Sequence, residues 1–146
     1  MTPRTLDWRT LRAKLRHIRE LLDDLRGLGE FDVERLHTDR TATLAAERIL
    51  TLVVDLAFAV NSHVAVAVLE QAPETYADSF TLAAEAKMID RGLAEALRPS
   101  AGARNVLVHN YLEVDYRMVA VAIPLAIEQY GEYVHQVARW LQERAE

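Results

Sequence analysis

The sequence predicts an all-α fold, an antiparallel bundle of four to five main helices. Apolar residues recur at steps of three and four along three long stretches, the period of one helix face. No alternating apolar and polar run of useful length appears, and the valine-rich stretches Val64–Val68 and Val119–Ile123 sit inside longer helical patterns. The 146 residues, about half of them apolar, suit a single domain over 1–146 with one packed core.

The first helix follows from Trp8, Leu11, Leu15, Ile18, Leu22 and Leu25, with Gly27 and Gly29 ending it. A second, long helix starts near Thr38 or Asp39, either of which can cap it. Ile49, Leu52, Leu56 and Val60 line its core face, and it is apolar nearly all round from Leu50 to Val60. Such a helix needs cover on several sides, from other helices or from another subunit. Pro73 marks a loop. Phe80, Leu82, Met88, Ile89 and Leu93 predict shorter helices between about 78 and 98. Pro99, Ser100 and Gly102 predict a break, followed by a helix from about Ala101 to Tyr111. Ile123, Ile127, Tyr130, Val134, Val137 and Leu141 form the last stripe, which Pro124 either opens or kinks.

Composition excludes several functions. The chain has no cysteine, so disulfide scaffolds, thiolate metal sites and thiol nucleophiles are out. Its formal charge of −5 argues against a broadly basic nucleic-acid binder but allows a local phosphate site. Residues 1–26, with Arg4, Arg9, Arg12, Lys14, Arg16 and Arg19, hold seven basic and four acidic side chains. That excess reads as a solvated helix face or as a basic rim beside an anionic ligand. The same segment lacks the continuous apolar core of a secretory signal. Ile49–Leu69 comes nearest to a membrane span, but Thr51, Asp55, Asn61, Ser62 and His63 interrupt it. An acid in mid-span costs about 2.5–3.5 kcal/mol, so a buried helix and no membrane are expected. A cytoplasmic location is also expected, and the absence of cysteine is compatible with it. No Gly-rich phosphate loop, nucleophile elbow or histidine pair at zinc-binding spacing occurs, and no metal site is predicted.

Chemistry concentrates in Arg104-Asn105-Val106-Leu107-Val108-His109-Asn110-Tyr111. On a helix Asn105 and His109 are neighbours one turn apart, and Arg104 lies one step round from Asn105. Tyr111 returns to the side of Arg104, and it points away from His109 unless the helix loosens near Asn110. An arginine offers a fixed fork of donors that matches phosphate oxygens. A histidine moves protons near neutral pH. Asn105 is expected to hold His109 in one tautomer. This set suits RNA cleavage by internal attack: His109 removes the 2′-hydroxyl proton and Arg104 stabilises the phosphorane, with no metal required. Spacing alone favours a structural role, a hydrogen-bonded histidine on a capped helix.

Arg104-Asn105-x-Leu107-Val108-His109-x-Tyr111 resembles the Arg-x4-His-x-Tyr motif of the HEPN superfamily, and most closely its HepT-like group of toxin ribonucleases. Glu47-Arg48-Ile49-Leu50, Asp55-Leu56-Ala57 and Asn61-Ser62-His63 resemble the second helix of that group. Thr75 to Phe80 resembles its middle segment, and Tyr111 to Asp115 the stretch after the motif. The resemblance implies a small helical homodimer whose two motif helices share a cleft, acting as a metal-independent endoribonuclease toxin. It implies an MntA-like nucleotidyltransferase antitoxin as partner, which moves AMP from ATP onto the motif tyrosine, here Tyr111. The chain needs no cofactor of its own in that scheme. ATP serves only the partner as AMP donor.

Asp55, Glu47 and His63 are the candidates for supporting roles. Asp55 lies in an apolar run and needs a partner, for which Arg104 is one candidate. Glu47 also reads as a plain surface acid, and His63 as a satisfied core histidine. His17, His37 and His135 read as surface or structural. Two function classes stay open: a ribonuclease toxin, and a non-catalytic HEPN module that binds nucleotide or substrate beside a minimal nucleotidyltransferase.

Overall fold

The structure, a computed structural model, describes residues 5–144. Arg4 therefore lies outside the described residues. Six α-helices follow one another: α1 (Trp8–Gly27), α2 (Val33–Thr38), α3 (Arg40–Val64), α4 (Tyr76–Glu85), α5 (Arg91–His109) and α6 (Tyr116–Arg144). A π-helical turn, Ala65–Leu69, prolongs α3, and a 3₁₀ turn, Tyr111–Glu113, joins α5 to α6. No strand occurs among the described residues.

Short polar side chains start the helices. Asp7, Asp32, Asp39, Thr75 and Asp90 each accept a backbone N–H from the first turn of the helix that follows. Asp39, one of the two expected caps, opens α3 by accepting from Ala42 at 3.2 Å. Thr38 instead closes α2, a six-residue helix that the periodicity did not predict. Gly29 follows the end of α1 at φ +86, a conformation that a Cβ would strain.

The break expected at Pro99, Ser100 and Gly102 is absent: α5 runs unbroken from Arg91 to His109. Pro99 deprives the Glu95 carbonyl of its helical donor, but both residues stand on the exposed face, where water can replace it. Ser100 Oγ donates back to the Leu97 carbonyl at 2.6 Å and lies 2.6 Å from Tyr130 Oη, which ties α5 to α6. Pro124 likewise stands exposed inside α6 and does not open it.

Helix α1 packs on α3 and α6, and α5 packs on α3, α4 and α6. Among the described residues α1 and α5 do not meet, so they flank the α3/α6 pair from opposite sides. Asp7 N–H donates to His63 Nε2 at 3.0 Å, which sets the start of α1 against the end of α3. Helix α3 with its π turn is long and apolar enough to cross a membrane; here it is packed on α1, α2, α4, α5 and α6. One apolar core joins all six helices, with Phe80, Tyr130 and Tyr133 meeting edge to face.

A polar chain runs through that core. Tyr133 Oη donates to Asn61 Oδ1 at 2.6 Å, Asn61 Nδ2 donates to Ser79 Oγ at 3.1 Å, and Ser79 Oγ donates to the Tyr76 carbonyl at 2.6 Å. Tyr133, Asn61 and Ser79 are fully buried, and each meets a partner, as buried polar groups must. The chain links α6 through α3 to the first residue of α4.

Candidate active site at the end of helix α5

Arg104 projects from the penultimate turn of α5, five residues before its last residue, His109. Its Nε donates to Asp55 Oδ1 on α3 at 2.8 Å. The pair is half-buried, with Arg104 17% and Asp55 33% exposed, so solvent screens it only in part. Asp55 thus finds its partner in Arg104. The guanidinium also lies over the Tyr76 ring, 4.7 Å from its centroid, and Tyr76 stacks on Phe58 at 4.0 Å with 11° between the planes. Two aromatic layers and one carboxylate therefore seat the arginine. Burial, with the Asp55 carboxylate beside it, pushes the Tyr76 phenol above the ordinary tyrosine range.

Asn105 does not hold His109. Its Oδ1 accepts from Arg104 Nη1 at 3.3 Å instead, since a short amide one residue away reaches the guanidinium directly. His109 is the last residue of α5 and is exposed. Helix geometry ends at Asn110, whose N–H still reaches the Val106 carbonyl at 2.9 Å. Tyr111 then opens the 3₁₀ turn and is 67% exposed. The loosening near Asn110 that would let His109 and Tyr111 escape opposite directions is therefore present.

The remaining candidates lie elsewhere. His63 accepts the Asp7 N–H at the start of α1 and so helps to cap that helix. Glu47 stands two turns before Asp55 on α3, and burial pushes its carboxyl up against the opposing pull of Arg40. It has no ion pair among the described residues. Nor do any three His, Asp or Glu side chains there converge closely enough to hold a metal ion. Tyr76 and Phe58 are what the sequence reading missed. They belong to helices remote in sequence from Arg104, and no local spacing announces such a contact.

Beside Arg104 opens an apolar groove of about 250 Å³ between α3, α5 and α6. Val54, Leu107, Met118, Val121 and Leu125 line it, and Val121 and Leu125 are 59% and 43% exposed. The arrangement thus combines a seated guanidinium, an accessible imidazole and phenol at a helix end, and an open apolar wall. The guanidinium offers donors that suit a phosphodiester, and the imidazole can move a proton near neutral pH.

A family model described as ribonuclease HepT-like matches residues 12–137. The chain belongs to the ribonuclease HepT-like family. This HepT-like chain is 28% identical over 131 residues to a protein named tRNA nuclease HepT from Aphanizomenon flos-aquae, covering 90% of this chain and 89% of the relative. It is 31% identical over 62 residues to one named mRNA nuclease HepT from Shewanella oneidensis, covering 42% and 47% of the two. The fold resembles that of the tri-AMPylated Shewanella oneidensis HEPN toxin solved in complex with its MNT antitoxin. The TM-score is 0.79 at 20% identity, over 89% of this chain and 97% of that one. It also resembles the cytosolic protein of unknown function YutE from Bacillus subtilis, with a TM-score of 0.82 at 16% identity over 95% and 93% of the chains. The HepT-like fold expected from the motif is thus present over nearly the whole chain.

Proposed function

We propose that this chain is the toxin of a toxin–antitoxin pair: an endoribonuclease that acts through Arg104 and His109 without a metal. Family membership and the names of the curated relatives support the nuclease class. The single observation that carries the mechanism is the seat of Arg104, fixed by Asp55 and Tyr76 at the edge of an open groove. A guanidinium held in place before the substrate arrives needs little reorganisation as charge develops on phosphorus. His109 takes the 2′-hydroxyl proton, the 2′-oxygen bonds to phosphorus, and the bond from phosphorus to the 5′-oxygen breaks. The products are a 2′,3′-cyclic phosphate and a 5′-hydroxyl, whose oxygen takes a proton from water on leaving, while His109 returns the 2′-hydroxyl proton to solvent.

The groove beside Arg104 is the place for a second copy, which would bring its own Arg104 and His109 to a shared cleft. An apolar wall with Val121 and Leu125 exposed supports that homodimer. Tyr111 is the acceptor for AMP from a nucleotidyltransferase antitoxin. Its exposure supports this, as does the similarity to a tri-AMPylated toxin bound to an MNT antitoxin. Each added AMP places phosphate charge beside the arginine and repels an RNA backbone.

The test has two arms. Arg104→Ala and His109→Ala are expected to lose RNA cleavage and growth restraint while keeping the helical fold, read as an unchanged far-ultraviolet circular dichroism spectrum. Co-expression with the neighbouring nucleotidyltransferase is expected to add AMP-sized mass steps to the peptide holding Tyr111, absent in Tyr111→Phe. Both alanine variants remaining as toxic as the wild type would sink the nuclease. A second reading draws on the pairing of Arg104 with Asp55 and Asn105, which occupies part of its donor fork and suits a binding module. A chain that is harmless without its partner would favour that reading.

A further inference from the structure

Four arginines stand along one flank of α1. Arg9, Arg12, Arg16 and Arg19 recur at steps of three, four and three residues. At 3.6 residues per turn they fall within about 80° of one another, over a length of about 15 Å. All four are exposed. Among the described residues none of them has a carboxylate within 4.0 Å, and the ion pair of α1 is confined to Asp23 and Arg26. Helix α1 carries six basic and three acidic side chains, which leaves eleven basic and nineteen acidic in the rest of the chain. Positive charge is therefore gathered on one helix of an otherwise acidic protein.

The stripe also borders a cavity. A cleft of about 340 Å³ lies between α1 and α6, with Leu15 and Leu141 in its apolar part and Arg12, Arg16, Arg19 and Gln142 as its polar lining. This cleft is separate from the groove at Arg104, because α1 and α5 do not meet and α3 and α6 lie between them. With helix axes 8–10 Å apart, the two sites are separated by roughly 15–20 Å.

We infer that this flank of α1 is a second docking site for RNA, which takes the phosphate backbone at a distance from the Arg104 and His109 site. The inference rests on the nuclease reading for the identity of the polyanion, and on the arginine geometry for the place. Successive arginines are about 4.5–6 Å apart along the axis, close enough for consecutive phosphates of one strand to meet consecutive guanidinium groups. Gln142 and the cleft behind them accommodate a sugar edge. The acidic remainder of the surface repels the backbone elsewhere, so docking on α1 also sets direction. A short oligonucleotide held at Arg104 cannot reach α1, whereas a folded RNA of tRNA size can span both. The second site therefore selects for large RNA.

The experiment compares the full-length chain with Arg12→Gln/Arg16→Gln and Arg12→Lys/Arg16→Lys, after their melting temperatures are matched. Binding and cleavage are measured on a labelled tRNA-sized transcript and on a labelled trinucleotide, over a range of salt concentrations. The glutamine pair is expected to weaken binding of the transcript about tenfold and to flatten its salt slope by about 1.5, the loss of two phosphate contacts. Cleavage of the trinucleotide should be unchanged, and the lysine pair should restore the wild-type slope. Equal binding of the transcript by wild type and the glutamine pair would overturn the inference, as would an equal loss for both substrates. A glutamine pair that keeps its RNA affinity but loses the nucleotidyltransferase would assign the stripe to an acidic protein partner instead. A wild type that binds RNA through Arg12 and Arg16 without cutting it would leave the docking site standing and remove the nuclease. A wild type that binds no RNA would remove both.

Discussion

The guanidinium of Arg104 rests on the ring of Tyr76, 4.7 Å from its centroid, while its Nε is held by Asp55. One residue from α4 and one from α3 thus aim a side chain of α5. The cation–π contact needs the ring and not the hydroxyl. Tyr76→Phe is therefore expected to keep cleavage within about threefold of wild type. Tyr76→Ala should lose about tenfold or more in kcat/KM, with the loss mostly in kcat. Steady-state cleavage of one RNA by the three proteins checks this.

Asp55 acts on the same arginine from the other side. Asp55→Asn keeps a hydrogen-bond acceptor but removes the charge, and its expected effect on stability is about 1–2 kcal/mol given the partial exposure of the pair. Its effect on turnover should exceed its effect on RNA affinity, since a loosened guanidinium still attracts phosphate but no longer meets the phosphorane in place. Chemical denaturation together with steady-state kinetics separates the two.

The buried chain from Tyr133 to Tyr76 makes a different demand. Tyr133→Phe removes the donor to Asn61 Oδ1 and leaves that oxygen unpaired in a fully buried place. A loss of about 1–3 kcal/mol in unfolding free energy is expected, read as a lower urea midpoint at an unchanged slope. A midpoint equal to wild type would mean that the amide finds another donor.

Acid should weaken the start of α5. Asp90 accepts the Leu93 N–H and the Gln136 side-chain amide, both at 2.7 Å, and these bonds hold its carboxyl below the usual carboxylate range. A carboxyl depressed in the folded state stabilises above its unfolded value, near pH 4, and that contribution disappears as pH falls through the folded value. Asp90→Asn keeps the cap but cannot titrate. Wild type should therefore melt higher than Asp90→Asn at neutral pH, and the gap should close on acidification below about pH 4. Melting curves over that range decide it.

The three long helices and the motif were legible because each is a local pattern. Leu11, Leu15, Ile18, Leu22 and Leu25 are all buried in α1, as their spacing requires. Pro99 misled because a proline's cost depends on which face its lost bond occupies, and that is a property of the packed bundle. In the bundle that helix is capped nine residues earlier, by Asp90. Asn105 misled in the opposite sense: spacing offered it His109, but the nearer guanidinium took its oxygen. Tyr76, Phe58 and Asn61 stayed invisible as a group because their contacts join helices far apart in sequence. His63, offered both as a supporting site residue and as a satisfied core histidine, is half-buried and accepts the Asp7 N–H at the start of α1.

The hydrogen-bonded chain that ends on the Tyr76 carbonyl also bears on heredity. If the chain restrains the growth of its own host, any cell that loses the antidote survives only by breaking the enzyme. The target for such breakage extends beyond the surface that meets RNA. A change at Asn61, Ser79 or Tyr133 is expected to loosen the Tyr76 backbone, and with it the ring on which Arg104 rests, while the arginine itself remains unaltered. Survivors of a selection would then include lesions deep in the bundle as well as at its rim. A gene copy with an intact motif would be no proof of an active toxin.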